Sequence, residues 1–236
     1  LLMQTIGLIG GITPQSTIMY YQVLNDLAAH TFGGIHSCKV IINSLDFGEI
    51  SELQSQSRWD KLDSIMQDAA FSLEKSGADM IVICANTMHL CVNAIKQVVK
   101  IPVVHIAEAT AKSILDKKLK KTALIGTKYT MEKPFFRDVL KAFGIETIIP
   151  EESDRDVIHQ VIYKELSKGL ILETSEKAYL KIIDKLIIQG AEGIILGCTE
   201  IPLLIKQDDV SVPIFDTTTI HATTAFELAL QSIKIN

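Results

Sequence analysis

Met80-Ile81-Val82-Ile83-Cys84 and Gly193-Ile194-Ile195-Leu196-Gly197-Cys198 are two short apolar runs, and each of them ends in a cysteine. Small polar residues and then a helical pattern follow each run. Such a run is typical of a buried strand that delivers its last side chain to a loop. Because open α/β sheets bind ligands at the carboxyl ends of their strands, Cys84 and Cys198 are the first candidate functional residues.

The rest of the chain alternates between strand-like and helix-like patterns. The second half repeats the first, because Thr122–Thr127 resembles Thr5–Gly10 and a proline begins a further strand after each cysteine, at Pro102 and Pro213. Connections of helix length favour parallel strand pairing. We predict strands over 5–10, 39–43, 80–84 and 102–106 in the first half, and helices over 16–30 and 58–76.

This repeat predicts an α/β fold of two pseudo-symmetric α/β lobes with mostly parallel sheets. We expect the active site to lie in the cleft between the lobes, where small ligands usually bind. The last helix, from Thr217 to about Ile233, is expected to return to the first lobe. The predicted first lobe therefore comprises residues 1–107 and 217–236, and the second comprises residues 108–216.

The composition excludes several classes of protein. The net charge is −5, and the Lys and Arg residues are scattered, which disfavours a nucleic-acid partner. The sequence has neither an apolar run long enough for a membrane helix nor a secretory signal, so we expect a cytoplasmic protein without a membrane partner. Its four cysteines include no CxxC pair, and its six histidines show no ligand spacing, so we expect no metal.

Two thiols suit one particular chemistry, which is inversion at a carbon next to a carboxylate. A thiol has an ordinary pKa of about 8.5, so it acts as an acid or a base near neutral pH after a modest shift. A position at a helix start would lower that pKa. The alternative is that Cys84 and Cys198 are strand ends packed in the core, as we expect for Cys38 and Cys91.

Polar residues follow both cysteines. Asn86, Thr87 and Thr199 offer amide and hydroxyl groups that suit an amino-acid carboxylate, and Glu200 could hold an ammonium group. The alternative role of Thr87 and Thr199 is to cap helices.

A glycine-rich turn over residues 10–14 follows the first strand. This turn could bind a carboxylate through its backbone N–H groups, and Thr127 is its counterpart in the second half. The turn lacks the GxGxxG spacing of dinucleotide sites. His89, His105 and His221 either tune a thiol or are satisfied core residues.

Three motifs together resemble the aspartate/glutamate racemase family. They are the Gly10-Gly11 turn with Pro14, the segment Cys84–His89, and Gly197–Pro202. The resemblance extends through 216–222 and covers nearly the whole chain. It implies a PLP-independent, metal-free racemase, usually a homodimer, that takes a small amino acid and no cofactor. By the resemblance Cys84 and Cys198 are the two bases, and the substrate's carboxylate and ammonium are held by Asn86, Thr87, Thr127 and Thr199 with help from Ile12-Thr13.

The chain departs from the aspartate racemases of this family after its second strand. Residues 43–50 replace a Pro-Asp-Arg segment whose arginine holds the side-chain carboxylate, so aspartate specificity is not implied. Lys168 is similar to a lysine that some aspartate racemases use for that carboxylate, and Arg58 is another candidate. Both could equally be surface charges.

We therefore expect a cofactor-independent racemase for aspartate, glutamate or a broader set of amino acids. A decarboxylase or a maleate-type isomerase of the same superfamily is an alternative, although a decarboxylase needs only one proton donor. A non-catalytic amino-acid sensor is another. A dinucleotide oxidoreductase is disfavoured by the missing phosphate fingerprint.

Overall fold

The computed structural model of the protein describes residues 3–231. Ile106–Ile220 forms one compact unit, called the second unit below, and the described residues before and after it form the first unit. The predicted end of the last helix near Ile233 lies outside the described residues. No helix within residues 3–231 has the length and apolar character needed to cross a membrane.

The first unit is built on a parallel sheet. Its strands are β1 (Ile6–Gly10), β2 (Val40–Ser44), β3 (Met80–Ile83) and β4 (Val103–Val104), in the order β2-β1-β3-β4. The strand predicted over 102–106 is thus shorter than expected, because a helix begins at Ile106. The helices of this part of the chain are α1 (Pro14–Phe32), α2 (Phe47–Ser55), α3 (Trp59–Lys75), a 3-10 helix (Thr87–Cys91) and α4 (Val92–Ile95).

The second unit repeats this plan. Its strands are β5 (Lys121–Gly126), β6 (Glu146–Ile148), β7 (Ile194–Gly197) and β8 (Ile214–Asp216), in the order β6-β5-β7-β8 and all parallel. The expected α/β fold with two similar parallel sheets is confirmed. The remaining helices are α5 (Ile106–Asp116), α6 (Lys128–Glu132), α7 (Pro134–Ala142), α8 (Glu152–Lys164), α9 (Glu173–Ile188), α10 (Ile201–Leu204) and α11 (Thr217–Gln231), with 3-10 helices at Leu166–Lys168 and Gln207–Asp209.

Successive side chains of β3 point to opposite faces of the sheet and pack against two different layers of helices in the first unit. Ile81 and Ile83 pack in a core cluster with residues of α3. Met80 and Val82 pack in another with residues of α1 and α11, and Cys84 continues that second set. The thiol of Cys84 therefore belongs to the α1 layer.

The corresponding strand of the second unit, β7, alternates in the same way. Ile194, Leu196 and Cys198 pack in a core cluster with residues of α8 and α9, whereas Ile195 packs with residues of α5 and α7. The thiol of Cys198 therefore belongs to the layer formed by α8 and α9.

The two cysteines occupy positions that differ by one residue in the strand register of their sheets. Ile9 pairs with Ile83, so Cys84 lies beside Gly10 at the end of β1. Gly126 pairs with Gly197, so Cys198 lies one position further along, beside Thr127. Because successive residues of a strand point to opposite faces, this offset places the two thiols in non-equivalent layers of two sheets with the same strand order.

Candidate active site

Cys84 is held at the carboxyl end of β3 in the first unit. Its backbone N–H donates a hydrogen bond to the carbonyl oxygen of Ile9, 2.9 Å away, which extends the β1–β3 ladder by one step. Its side chain is fully buried. Burial disfavours the charged thiolate and raises the pKa of the Cys84 thiol well above its ordinary value.

The glycine-rich turn lies directly beside Cys84. Thr13 caps α1, since its Oγ1 accepts a hydrogen bond from the Ser16 backbone N–H at 3.3 Å. The Ser16 hydroxyl donates to the carbonyl oxygen of Cys84, and this bond ties the turn to the end of β3. The structure therefore brings Thr13 and Cys84 together, whereas the side chain of Ile12 packs in the core with α3.

Gly11 makes the tight approach of this turn possible. Its φ is +80°, and a Cβ at this position would lie 2.0 Å from the carbonyl oxygen of Leu45. A larger residue would meet both the left-handed conformation and the backbone of the neighbouring segment. Glycine is therefore required here for steric reasons.

Asn86 and Thr87 follow Cys84 as predicted, and the structure places them in the same loop. Asn86 is buried, and Thr87 begins the 3-10 helix Thr87–Cys91. Asn86, rather than Thr87, is the residue at the cap position of that helix. The expected lowering of the Cys84 pKa by a helix start is also wrong, since burial dominates.

The three histidines singled out in the sequence lie together in the first unit. The His89 ring is 5.0 Å from that of His105 and 5.4 Å from that of His221, between ring centroids. The Nδ1 atom of His89 lies 2.9 Å from the carbonyl oxygen of Ala85, so Nδ1 donates. Burial, followed by the charges of His105 and His221, holds the pKa of His89 well below its usual value.

His221 is bound on both sides of its ring. Nε2 lies 2.8 Å from the carbonyl oxygen of Val104, and Nδ1 lies 2.7 Å from the Tyr20 hydroxyl. A carbonyl oxygen only accepts, so Nε2 carries the hydrogen and the Tyr20 hydroxyl donates to Nδ1. Burial lowers the pKa of His221 to about 4. The ring is therefore neutral at pH 7 and ties α11 to the end of β4.

Cys198 has a carboxylate partner, which is the main polar feature of the second unit. Its thiol donates to Oε2 of Glu200 at 2.9 Å, and the Thr199 hydroxyl donates to the same oxygen at 2.6 Å. All three residues are buried. Burial raises the pKa of Cys198 well above its ordinary value, and the charge of Glu200 raises it further, so the expected lowering is wrong here as well. Thr199 does not cap α10.

Thr127 lies at the end of β5, beside Cys198 in register. Its Oγ1 accepts a hydrogen bond from the Thr130 backbone N–H at 3.2 Å and thereby caps α6. The side chain is 9 % exposed. The structure therefore brings together Thr127, Cys198, Thr199 and Glu200 at one edge of the second sheet.

The two cations proposed for a distal carboxylate have different surroundings. Arg58 forms an exposed, two-bond ion pair with Asp60, at 2.9 Å from Nε and 2.8 Å from Nη2. Lys168 is exposed at the end of a 3-10 helix whose Leu166 packs in one core cluster with Ile201 of α10. Lys168 therefore lies on the part of the second unit that carries Glu200, and Arg58 is a surface charge.

Sequence reasoning missed an aromatic group that lies near Cys198. The group consists of Tyr129, His159 and Tyr163. The ring centroid of His159 lies 6.3 Å from that of Tyr129 and 4.6 Å from that of Tyr163. Burial, and then the charges of Tyr129, Cys198 and Glu200, raise the pKa of Tyr163 to about 12. The four-residue spacing of His159 and Tyr163 could have indicated that they are neighbours on one face of a helix.

Within the described residues, no group of three or more His, Cys, Asp or Glu side chains is arranged to hold a metal ion. Cys38 and Cys91 are buried in separate core clusters of the first unit, and all four cysteines are free thiols.

Comparisons with known proteins identify the family of this chain. The profile of the Asp/Glu/hydantoin racemase family matches residues 9–225. The chain is 26% identical to the broad specificity amino-acid racemase RacX of Bacillus subtilis, over 96% of this chain and 100% of that protein.

Solved structures give the same result. A Yersinia pestis protein described as a candidate Asp/Glu racemase is 46% identical, with a TM-score of 0.92, covering 97% of this chain and 100% of that one. An aspartate racemase homologue from Pyrococcus horikoshii is 36% identical, with a TM-score of 0.85, covering 96% of this chain and 99% of that one. The protein therefore belongs to the Asp/Glu/hydantoin racemase family.

Proposed function

We propose that this protein is a cofactor-independent amino-acid racemase that acts on aspartate, glutamate or a broader set of amino acids. One observation carries the proposal: in each of the two sheets, the third strand in chain order, β3 or β7, is followed directly by a buried free thiol. Membership of the racemase family supports the same reaction.

The proposed chemistry needs two groups that act on opposite faces of the α-carbon, and we assign these to Cys84 and Cys198. A thiolate removes the α-proton and becomes a thiol, while the electron pair is delocalised into the carboxylate. The other thiol then donates its proton to the opposite face and becomes a thiolate. The reverse direction exchanges the two roles.

A thiol with a raised pKa must lose its proton before it can act as a base. Glu200 offers an acceptor for this proton, because its Oε2 already accepts the Cys198 thiol hydrogen at 2.9 Å, while its charge favours the neutral thiol until the proton moves. Transfer along this bond gives a thiolate and a neutral carboxylic acid. We therefore assign Glu200 to the thiol, in addition to its predicted role near the substrate ammonium.

The remaining predicted residues complete the proposal. Asn86 and Thr87 beside Cys84, and Thr127 and Thr199 beside Cys198, bind the α-carboxylate and ammonium, with help from the backbone of Ile12-Thr13. Lys168 binds a distal carboxylate where the substrate has one. The enzyme acts as a homodimer, as the family resemblance implies.

Exchange of the α-proton in D₂O, followed by NMR, tests the function directly. Chelator-treated protein free of PLP is incubated with the L- and D-forms of a panel of amino acids, and optical purity is measured in the same samples. We expect exchange together with loss of optical purity for at least one amino acid. Absence of exchange across the panel would contradict the proposal and favour a decarboxylase, a maleate-type isomerase or a sensor, with malonates and maleate as the next compounds.

A further inference from the structure

The direction of the Cys198 side chain decides which residues can surround a ligand at this edge of the second unit. Cys198 continues the side of β7 that packs against α8 and α9. Tyr163, at the carboxyl-terminal part of α8, packs against the same core cluster. A ligand that reaches the Cys198 thiol on this side therefore meets α8.

Helix α8 presents two aromatic side chains to this region, and α6 adds a third. His159 and Tyr163 lie four residues apart on one face of α8, with ring centroids 4.6 Å apart and planes tilted by 43°. Tyr129 of α6 also packs against His159, with ring centroids 6.3 Å apart and planes at 72°. These three residues, called the aromatic cluster below, are all half-buried.

A backbone hydrogen bond fixes the cluster beside the predicted carboxylate-binding residue Thr127. The N–H of Lys128, the next residue, donates to Nδ1 of His159 at 3.2 Å. Because Nδ1 accepts, the neutral ring carries its hydrogen on Nε2, which is a donor. The Tyr163 hydroxyl is a second donor, and Tyr163 packs against the core cluster that contains Cys198.

His159 and Tyr163 are uncharged at neutral pH. Burial, followed by the charge of Lys128, lowers the pKa of His159, and the pKa of Tyr163 is about 12. Lys128 itself forms an ion pair with Asp156. Because Lys128 is already paired with Asp156, a carboxylate placed here would meet neutral donors and the nearby charge of Glu200, and it would lose hydration without gaining an unpaired cation.

We propose that the aromatic cluster contacts the side chain of the amino acid and selects uncharged side chains over carboxylate-bearing side chains of the same shape. This inference rests on the proposed racemase function and makes its substrate class more specific. It assigns side-chain selection to His159 and Tyr163, and it leaves Lys168 a minor role.

Glutamine and glutamate provide the matched pair of ligands, since they differ in charge but hardly in shape. We expect kcat/KM for glutamine to exceed that for glutamate in the wild-type protein by about tenfold. Tyr163→Phe should reduce this ratio about fivefold, mainly by raising KM for glutamine, because the Tyr163 hydroxyl can also accept a hydrogen bond from the glutamine amide, which glutamate does not offer. His159→Asn removes the ring packed against Tyr163 and should reduce the ratio by a similar factor. The amide introduced by His159→Asn still offers an oxygen that can accept the Lys128 N–H. Tyr21→Phe, on an exposed part of α1, is the control.

The preference is also measured without turnover, in a Cys84→Ala/Cys198→Ala protein. Calorimetry gives the dissociation constants of glutamine and glutamate, and their ratio is compared between variants. Three outcomes would overturn the inference while racemisation continued. The wild-type protein could prefer glutamate, Tyr163→Phe and His159→Asn could leave the ratio unchanged, or Lys168→Met alone could change it. A wild-type protein that binds glutamine selectively through Tyr163 but exchanges no α-proton would instead overturn the racemase function and leave the selectivity standing.

Discussion

The thiol of Cys198 and the carboxylate of Glu200 are joined by a buried hydrogen bond of 2.9 Å, whereas the pKa of the Cys84 thiol is raised by burial alone. The two candidate bases of this protein thus have different electrostatic surroundings. The charge of Glu200 stabilises the neutral thiol and offers an acceptor for its proton.

Replacement of Glu200 by glutamine should therefore lower the pKa of Cys198. The substitution removes the negative charge but keeps a side chain of the same shape, while burial continues to favour the neutral thiol. The pH dependence of alkylation, with the signal of a Cys198→Ser protein subtracted, measures the change. Glu173→Gln removes an exposed carboxylate of α9 and is the matched control. An alkylation profile that stays in place in Glu200→Gln would contradict the assigned partnership.

Single replacements of the two cysteines should each abolish racemisation. Cys84→Ala and Cys198→Ala each leave one base, so each variant is expected to exchange the α-proton of one enantiomer, and the two variants should favour opposite enantiomers. NMR in D₂O with chiral analysis separates exchange from inversion. Cys38→Ala, in the α1 layer of the core, is the control that should retain activity. Racemisation that survives in either single variant would exclude the two-base mechanism.

Acidification should destabilise the protein through its buried histidines. The pKa of His221 falls from 6.5 to about 4 on folding, so the unfolded chain binds more protons between these values. The free energy of unfolding is therefore expected to fall as the pH drops from about 6.5 towards 4, by on the order of 3 kcal/mol for His221 alone. His89 acts in the same direction.

Urea unfolding at several pH values between 7.5 and 4.5 measures this slope. His221→Gln retains a donor for the Val104 carbonyl oxygen but does not titrate, so its slope should be shallower even if its stability at pH 7.5 is lower. Equal slopes for the two proteins would show that His221 is not the titrating group.

Substitution at Gly11 should be costly for a reason that can be isolated. Gly11→Ala places a Cβ 2.0 Å from the Leu45 carbonyl oxygen and also keeps a positive φ. Gly144 has a similar φ of +77°, but nothing lies within 4 Å of its added Cβ. We expect Gly144→Ala to cost about 1–2 kcal/mol of unfolding free energy, and Gly11→Ala to cost clearly more. Thermal unfolding of both proteins checks this, and equal losses would indicate that the turn relaxes.

Much of the fold was predictable because strand composition and register constrain it. The apolar runs before Cys84 and Cys198 gave the central strands, and the repeated Gly-rich strand ends gave the duplicated sheet. Short edge elements were not predicted, since β6 has only three residues and its pattern is weak. Because β6 was not predicted, the helix that follows it, α8, was not predicted either. His159 and Tyr163 of that helix were therefore overlooked.

Prediction of the site had a different limit. Sequence position indicated which residues follow each strand, and the structure places them in the same loops. Burial and hydrogen-bond direction depend on the packed structure, so the raised thiol pKa values and the contact of Glu200 with Cys198 were not predictable. The sequence pattern also suggested equivalent thiols, because a one-residue offset in register is invisible without the strand pairing.

That offset has a kinetic consequence under the two-base mechanism. Enantiomers have equal free energies in an achiral solvent, so the equilibrium constant for their interconversion is one, and kcat/KM must be the same in both directions. The different surroundings of Cys84 and Cys198 can therefore make kcat differ between the two enantiomers only if KM differs by the same factor. The enantiomer with the higher KM must also have the higher kcat, by the same factor.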